Sequence, residues 1–181
     1  MTSGERLPTV GRLVRLRDVT LADAELLDQW NRELEPGSFN DFGPREPIPR
    51  EPLASGSLRD ERNGTFLVER LSDGRPIGTI GWRRVAYGPS PWSDAWQIGI
   101  ELIPEGRGQG NGAEAQRLVA EWLLATTSAN RVEAATDIDN LAEQRSLAKA
   151  GYHRDGVMRG AQLRAGAWHD LVYYSRIRED G

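Results

Sequence analysis

The chain contains no cysteine, which removes disulfides, thiolate zinc sites and cysteine nucleophiles together. His153 and His169 are its only histidines, too few for a multi-histidine centre, so no metal is expected. No apolar run is long enough to cross a bilayer, and the opening MTSGERLPTVGR has no apolar centre of the kind a secretory signal needs. No membrane partner is expected, and the cytoplasm is the expected compartment. A basic excess is missing too: 23 Lys and Arg stand against 27 Asp and Glu, a net charge of -4. That balance lacks the footprint of a nucleic-acid binder, and it favours a cationic partner such as an amine.

What is present fits one folded, soluble domain. The 181 residues are enough for a single core and too few for two, and 38% of them are hydrophobic, with six tryptophans. Residues 1–10 read as a flexible tail. GRLVRLRDV alternates apolar and basic residues and predicts a strand from Leu13 or Val14. Thr20 and Asp23 then stand at capping-box spacing before Leu26, Leu27, Trp30 and Leu34, which share one face of a helix. That face, Trp30 included, is expected in the core.

Glu35 to Arg62 shows no sustained period and reads as a long loop. GTFLVERLSDGRPIGTIGWRRV predicts a hairpin around Asp73 and Gly74, and AWQIGIELI another strand. Ala115, Leu118, Val119, Trp122 and Leu123 fit a helix from Asn111 to Thr127. RVEAATDI is a strand and DNLAEQRSLAKAG a helix closed by Gly151; YHRDGVMRG and AWHDLVYYSRI complete the chain as strands. The order is strand, helix, loop, three strands, helix, strand, helix, two strands. It predicts a mixed sheet in an α+β or α/β domain.

The densest feature is PEGRGQGNGAEA, where glycines 106, 108, 110 and 112 lead into a helix. A strand, a glycine-rich turn and a helix amino terminus together make an anion seat. Gly108 to Ala113 satisfies the dinucleotide pattern G-x-G-x-x-G/A, with Glu133 near the place of a ribose-binding acid. The long, mostly antiparallel stretch ahead of it argues against that reading, which leaves an NAD-dependent, Rossmann-like oxidoreductase as a lesser alternative. No Gly-Lys-Ser/Thr follows, so a nucleoside triphosphate loop is excluded.

IELIPEGRGQGNGAEA resembles the acetyl-CoA motif of the GNAT N-acetyltransferase superfamily, R/Q-x-x-G-x-G/A, with Arg107, Gly110 and Gly112 at its fixed positions. LLDQWN, PIGTIGW, DNLAEQRSLAKAGYHRDG (against the usual N-x-x-S/A-x-x-x-x-x-K-x-G-F/Y) and GAWHDLVYYS resemble its RimJ/RimL branch in the right order. The resemblance implies a GNAT fold over the whole chain: a central mixed, mostly antiparallel sheet of six to seven strands with helices on both faces. It also implies an acetyl-CoA-dependent N-acetyltransferase acting on a primary amine, such as an aminoglycoside, a polyamine or a protein amino terminus, as a monomer or homodimer.

By the same resemblance, pantetheine lies beside Leu102 and Ile103, which are equally ordinary strand residues. The pyrophosphate sits on the amides of Arg107, Gly108, Gln109, Gly110, Asn111, Gly112 and Ala113. Asn140 matches the asparagine that holds the pantetheine arm, although Asn140 and Glu143 also have the spacing of a plain helix cap. An amine attacking a thioester needs a base and a proton for the departing thiolate. Glu101 is the first candidate for the base; the competing reading makes it a solvated or arginine-paired strand residue. Gln97 replaces the glutamate of other members. Alternation puts Gln97, Gly99 and Glu101 on one face, where a substrate would meet amide and carboxylate together.

The family's tyrosine acid is Leu147 here. Ser146 stands beside it, better suited to bond the sulfur or the helix backbone than to act as an acid; Tyr173 and Tyr174 are more distant options. Glu33, Glu35 and Asp41 would form an acidic lip for the amine, or simply a solvated loop. The departures at Gln97 and Leu147 keep a non-catalytic acyl-CoA-binding sensor as the main alternative.

Overall fold

Seven strands form one sheet in the computed structural model, which describes residues 9–54 and 58–180. Residues 1–8 of the expected tail lie outside the described residues. The order is β1-β2-β3-β4-β5-β7-β6, built from β1 (Val14–Asp18), β2 (Asn63–Arg70), β3 (Pro76–Ala86), β4 (Asp94–Leu102), β5 (Arg131–Asp137), β6 (His153–Arg164) and β7 (Ala167–Ile177). Every neighbouring pair is antiparallel except β4 with β5. A parallel pair needs a crossover, and α3 (Asn111–Thr126) supplies it.

The remaining helices are α1 (Ala24–Arg32), α2 (Arg50–Ala54) and α4 (Leu141–Lys149). Residues of β2 show how both faces of the sheet are covered. Phe66 and Val68 join the core under α3 and α4, with Ile80, Ile98, Leu118, Leu123, Leu147 and Val172. Leu67, pointing the other way, packs with Val19, Ala24, Leu27 and Leu53 under α1 and α2. Trp30 packs against that second cluster, as its helical spacing predicts.

The first helix opens with a single 3-10 turn, Leu21–Asp23, before α1. The Asp23 carboxylate accepts the Thr20 N–H at 2.8 Å and the Thr20 hydroxyl at 2.7 Å. Arg17 grips the same carboxylate with both terminal nitrogens, each at 2.8 Å, and with the Thr20 bonds outweighs the cost of burial, lowering its pKa to about 2. The long loop differs from expectation by containing α2. That helix has five residues and one buried apolar side chain, Leu53, too short to leave a period in the sequence.

The feature that positions the site is where β4 and β5 stop pairing. Only Trp96 with Val132, Gln97 with Glu133 and Ile98 with Ala134 are in register. Beyond them β4 stays paired to β3 as far as Leu102 with Gly78, while β5 continues to Asp137 on β7. The two strands therefore diverge, and their facing edges are left without a ladder.

Candidate active site

The divergence opens a cleft of about 590 Å³. Its walls combine Ile98, Ile100 and Leu102 of β4, Ala134 and Thr136 of β5, the start of α3 and the outer face of α4. Of the residues proposed for the donor, Leu102, Arg107, Gly108, Gly110, Gly112, Ala113, Asn140 and Ser146 line it. Ile103 packs against the core with its N–H on Ile77 O at 3.0 Å. Asn111 is buried and donates its side-chain amide to Gly106 O at 3.0 Å, which ties the loop to the helix start. Gln109 is exposed at the loop tip.

Three glycines of the loop have a local reason. Gly108 and Gly110 have φ of 76° and 86°, the left-handed region that other residues adopt at a cost. A Cβ on Gly112 would lie 3.3 Å from Ser146 Oγ and 3.5 Å from Leu102 Cδ1, so that position is a cradle kept open by the missing side chain. Gly110 caps α3, and the first amides of the helix have no intrahelical acceptor. They face a cleft that Arg107, Arg145 and Lys149 also line. This arrangement suits a phosphate-bearing ligand with a slender arm. Arg107 also donates its Nε to Leu102 O at 2.8 Å and braces the end of β4.

On α4, Asn140 is a working cap: its Oδ1 accepts the Glu143 N–H at 3.2 Å and its amide donates to Thr136 Oγ1 at 3.0 Å. The reciprocal half of a capping box does not form, because the Asn140 N–H goes to Asp137 O. The Glu143 carboxylate accepts instead from Gln116 Nε2, and Ser146 Oγ donates to Gln116 Oε1 at 3.0 Å. Burial pushes the Glu143 carboxyl up to about 7, with the Gln116 bond acting in the opposite direction. Leu147 is fully buried. Glu143 is a cleft residue that sequence reasoning used only as a cap; its signal was the carboxylate standing where the pattern has Ser or Ala.

The other face of the sheet is crowded with arginine–carboxylate pairs. Gln97 and Glu101 share that face, yet each has its own partners. Gln97 Oε1 accepts Arg83 Nε at 2.9 Å, and its amide reaches Glu133 Oε1 at 3.4 Å. Glu133, fully buried, accepts the Tyr87 hydroxyl at 2.8 Å and Arg131 Nε at 2.9 Å. Burial and that carboxylate push the Tyr87 phenol up to about 12. Glu101 is held by Arg45 at 2.7 Å, whose guanidinium also meets Asn31 Oδ1 at 3.2 Å and Asn40 O at 2.9 Å. Of the two readings of Glu101, the arginine-paired one describes this arrangement.

At the end of β5, Asp137 accepts Arg164 Nη2 and lies 2.9 Å from His169 Nδ1. Burial disfavours its charge, but the Asp139 N–H, Arg164 and His169 prevail and hold its pKa below the ordinary value. Arg164 also lies over the Phe39 ring, 5.2 Å from its centroid, and Phe39 lines the cleft. Sequence reading missed this cluster, because Phe39, Asp137, Arg164 and His169 come from four separate segments with no shared motif.

Glu33, Glu35 and Asp41, the carboxylates of the expected acidic lip, are not among the residues lining the cleft. Asp41 closes its own loop by accepting the Gly37 N–H at 2.8 Å and the Gly43 N–H at 3.2 Å; Glu33 accepts the Gln29 amide at 2.8 Å; Glu35 is exposed. Tyr174 is buried in the core and Tyr173 half-buried beside Ala135. Among the described residues no helix is long and apolar enough to cross a membrane.

Comparison with known proteins adds an independent observation. The family model for the acetyltransferase (GNAT) domain matches residues 13–153. The probable N-acetyltransferase YjcK of Bacillus subtilis is 33% identical over 123 residues, which span 68% of this chain and 66% of that protein. The uncharacterized N-acetyltransferase YoaA of the same organism is 29% identical over 67% of each. Among solved structures, RimL in complex with coenzyme A superposes with a TM-score of 0.74 at 17% identity, covering 97% of this chain and 99% of that one. Mycobacterium smegmatis RimJ with CoA-disulfide gives 0.73 at 23% identity, covering 97% and 86%. The chain belongs to the GNAT family of N-acetyltransferases.

Proposed function

We propose that this protein moves an acetyl group from acetyl-CoA to a primary amine by direct attack on the thioester, with the donor in the β4–β5 opening. The observation that carries the reading is the loss of pairing after Ile98 and Ala134 directly ahead of a glycine cradle. The opening leaves the facing edge of β4 without a ladder partner, while Gly108, Gly110 and the first amides of α3 form a seat for negative charge. Asn140, Gly112 and Ser146 border the arm's path. The amine approaches from the face of Glu101. For Glu101 to take a proton, directly or through water, the Arg45 contact must loosen.

RimL is a ribosomal L7/L12 alpha-N-protein acetyltransferase, and another neighbour of this fold is a spermidine N-acetyltransferase chimera, so both a protein amino terminus and a polyamine belong in the acceptor panel. A monomer or homodimer in the cytoplasm is part of the same reading. One observation favours a second reading, an acyl-CoA-binding sensor without turnover: the candidate base is already ion-paired, and Leu147 carries no acid.

Free-CoA release from acetyl-CoA, measured with polyamines, aminoglycosides, amino acids and short peptides, separates the two. The transferase reading expects release that depends on one amine class. Tight acetyl-CoA binding with no amine-dependent release would instead leave the sensor.

A further inference from the structure

Glu143 is the one carboxylate among the residues lining the donor cleft. It stands on α4 one turn after Asn140, at the position where the family pattern has a small residue, so a carboxyl fills space that Ser or Ala would leave free. Its oxygen is tied to Gln116 Nε2, and Gln116, only 1% exposed, is fixed from its other side by Ser146. The carboxyl therefore has a defined direction along the cleft wall.

No cation pairs with it among the described residues. From α3 it meets the neutral Gln116, while Glu114 is bonded to the amides of Arg12, Leu13 and Val14 and Arg117 to Glu121. Along α4, Arg145 and Lys149 line the cleft but are exposed at its outer part. β5 offers Thr136, which accepts from Asn140. Ahead of β6 stands the buried Tyr152 phenol, its hydroxyl 3.4 Å from Gln116 O. β4 presents Ile98, Ile100 and Leu102, and Arg107 is bonded to the Leu102 carbonyl. The cleft is then the open side of this half-buried carboxylate. A donor arm filling the cleft completes its burial, and the phosphates it brings are like charges; both effects favour the acid form.

We propose that Glu143 is a donor-binding residue that meets the acetyl-CoA arm as a neutral carboxylic acid, so that binding the donor takes up one proton. The inference rests on the transferase reading of the cleft. Burial already brings the carboxyl to about 7, so the uptake is largest just above neutrality. Donor affinity is then full at acidic pH and falls as pH rises, at most about tenfold per pH unit.

Isothermal titration of the full-length protein with acetyl-CoA from pH 6 to 9, in two buffers of different ionisation enthalpy, reads the proton directly. The wild type is expected to take up close to one proton near pH 8 and to lose about tenfold in affinity over the next unit. Glu143→Gln, which keeps an acceptor for Gln116, is expected to take up none and to hold its affinity within about twofold across the range. Glu143→Ser, restoring the small residue of the pattern, should behave in the same way. Proton uptake that persists in both variants, or wild-type binding with no uptake, would overturn the inference and leave the transferase reading standing. Absence of acetyl-CoA binding at every pH would overturn both.

Discussion

The two faces of the sheet are built from different materials. Toward α3 and α4 the cleft is made of backbone amides, glycines and apolar side chains, with few charges. Toward α1 and the β6–β7 hairpin, arginine–carboxylate pairs join residues far apart in the chain: Arg45 with Glu101, Arg164 with Asp137, Arg131 with Asp155. A phosphate-bearing donor asks for amides at a fixed spacing, which one short segment can supply. An acceptor asks for shape and charge, which only long-range contacts supply.

The contrast can be broken most sharply on the donor face. Gly112→Val puts a branched side chain against Ser146 and Leu102, and acetyl-CoA affinity should fall roughly 150-fold, the equivalent of ~3 kcal/mol of overpacking. Calorimetric titration checks it, with circular dichroism to confirm that the helix content is kept.

On the acceptor face, Glu101→Gln should lower kcat/KM roughly 100-fold at neutral pH and less at high pH, where the amine is already neutral. An unchanged pH–rate profile would remove Glu101 from the role of base. The Asp137 cluster is expected to matter for folding. Asp137→Asn leaves Arg164 buried without its countercharge, although the amide oxygen still accepts from it, so the loss should be about 2 kcal/mol in urea unfolding.

The smallest effect lies away from both faces of the cleft. Asp23 has a folded pKa of about 2, below the 3.8 of an unperturbed aspartate, so its contribution is present above the unperturbed value and lost as pH falls through the folded one. With Arg17 partly open to solvent, we expect about 1 kcal/mol. Comparing urea midpoints of wild type and Asp23→Asn at neutral pH and near pH 2 should show the gap closing.

The same contrast explains what the sequence disclosed. Seven strands in their chain order, the helix from Asn111, the Asp73-Gly74 turn and the glycine cradle are local matters of period, cap and φ, and the structure has all of them. The helix α2 escaped because five residues carry no period. Arg45 escaped for a different reason: it lies in a proline-rich loop and meets Glu101 across 56 positions, a distance over which no spacing rule operates. Asp41 accepts two amides of its own turn, and in sequence such an aspartate is indistinguishable from one offered to a ligand.

On the proposed reading, the β4–β5 opening and its glycine cradle hold acetyl-CoA. Thermal unfolding of wild type and Gly112→Val with saturating acetyl-CoA, and separately with NAD(H), tests it most directly. The wild type should be stabilised by acetyl-CoA alone, and the variant should lose that stabilisation. Stabilisation by NAD(H) alone, or equal stabilisation of the variant by acetyl-CoA, would contradict it.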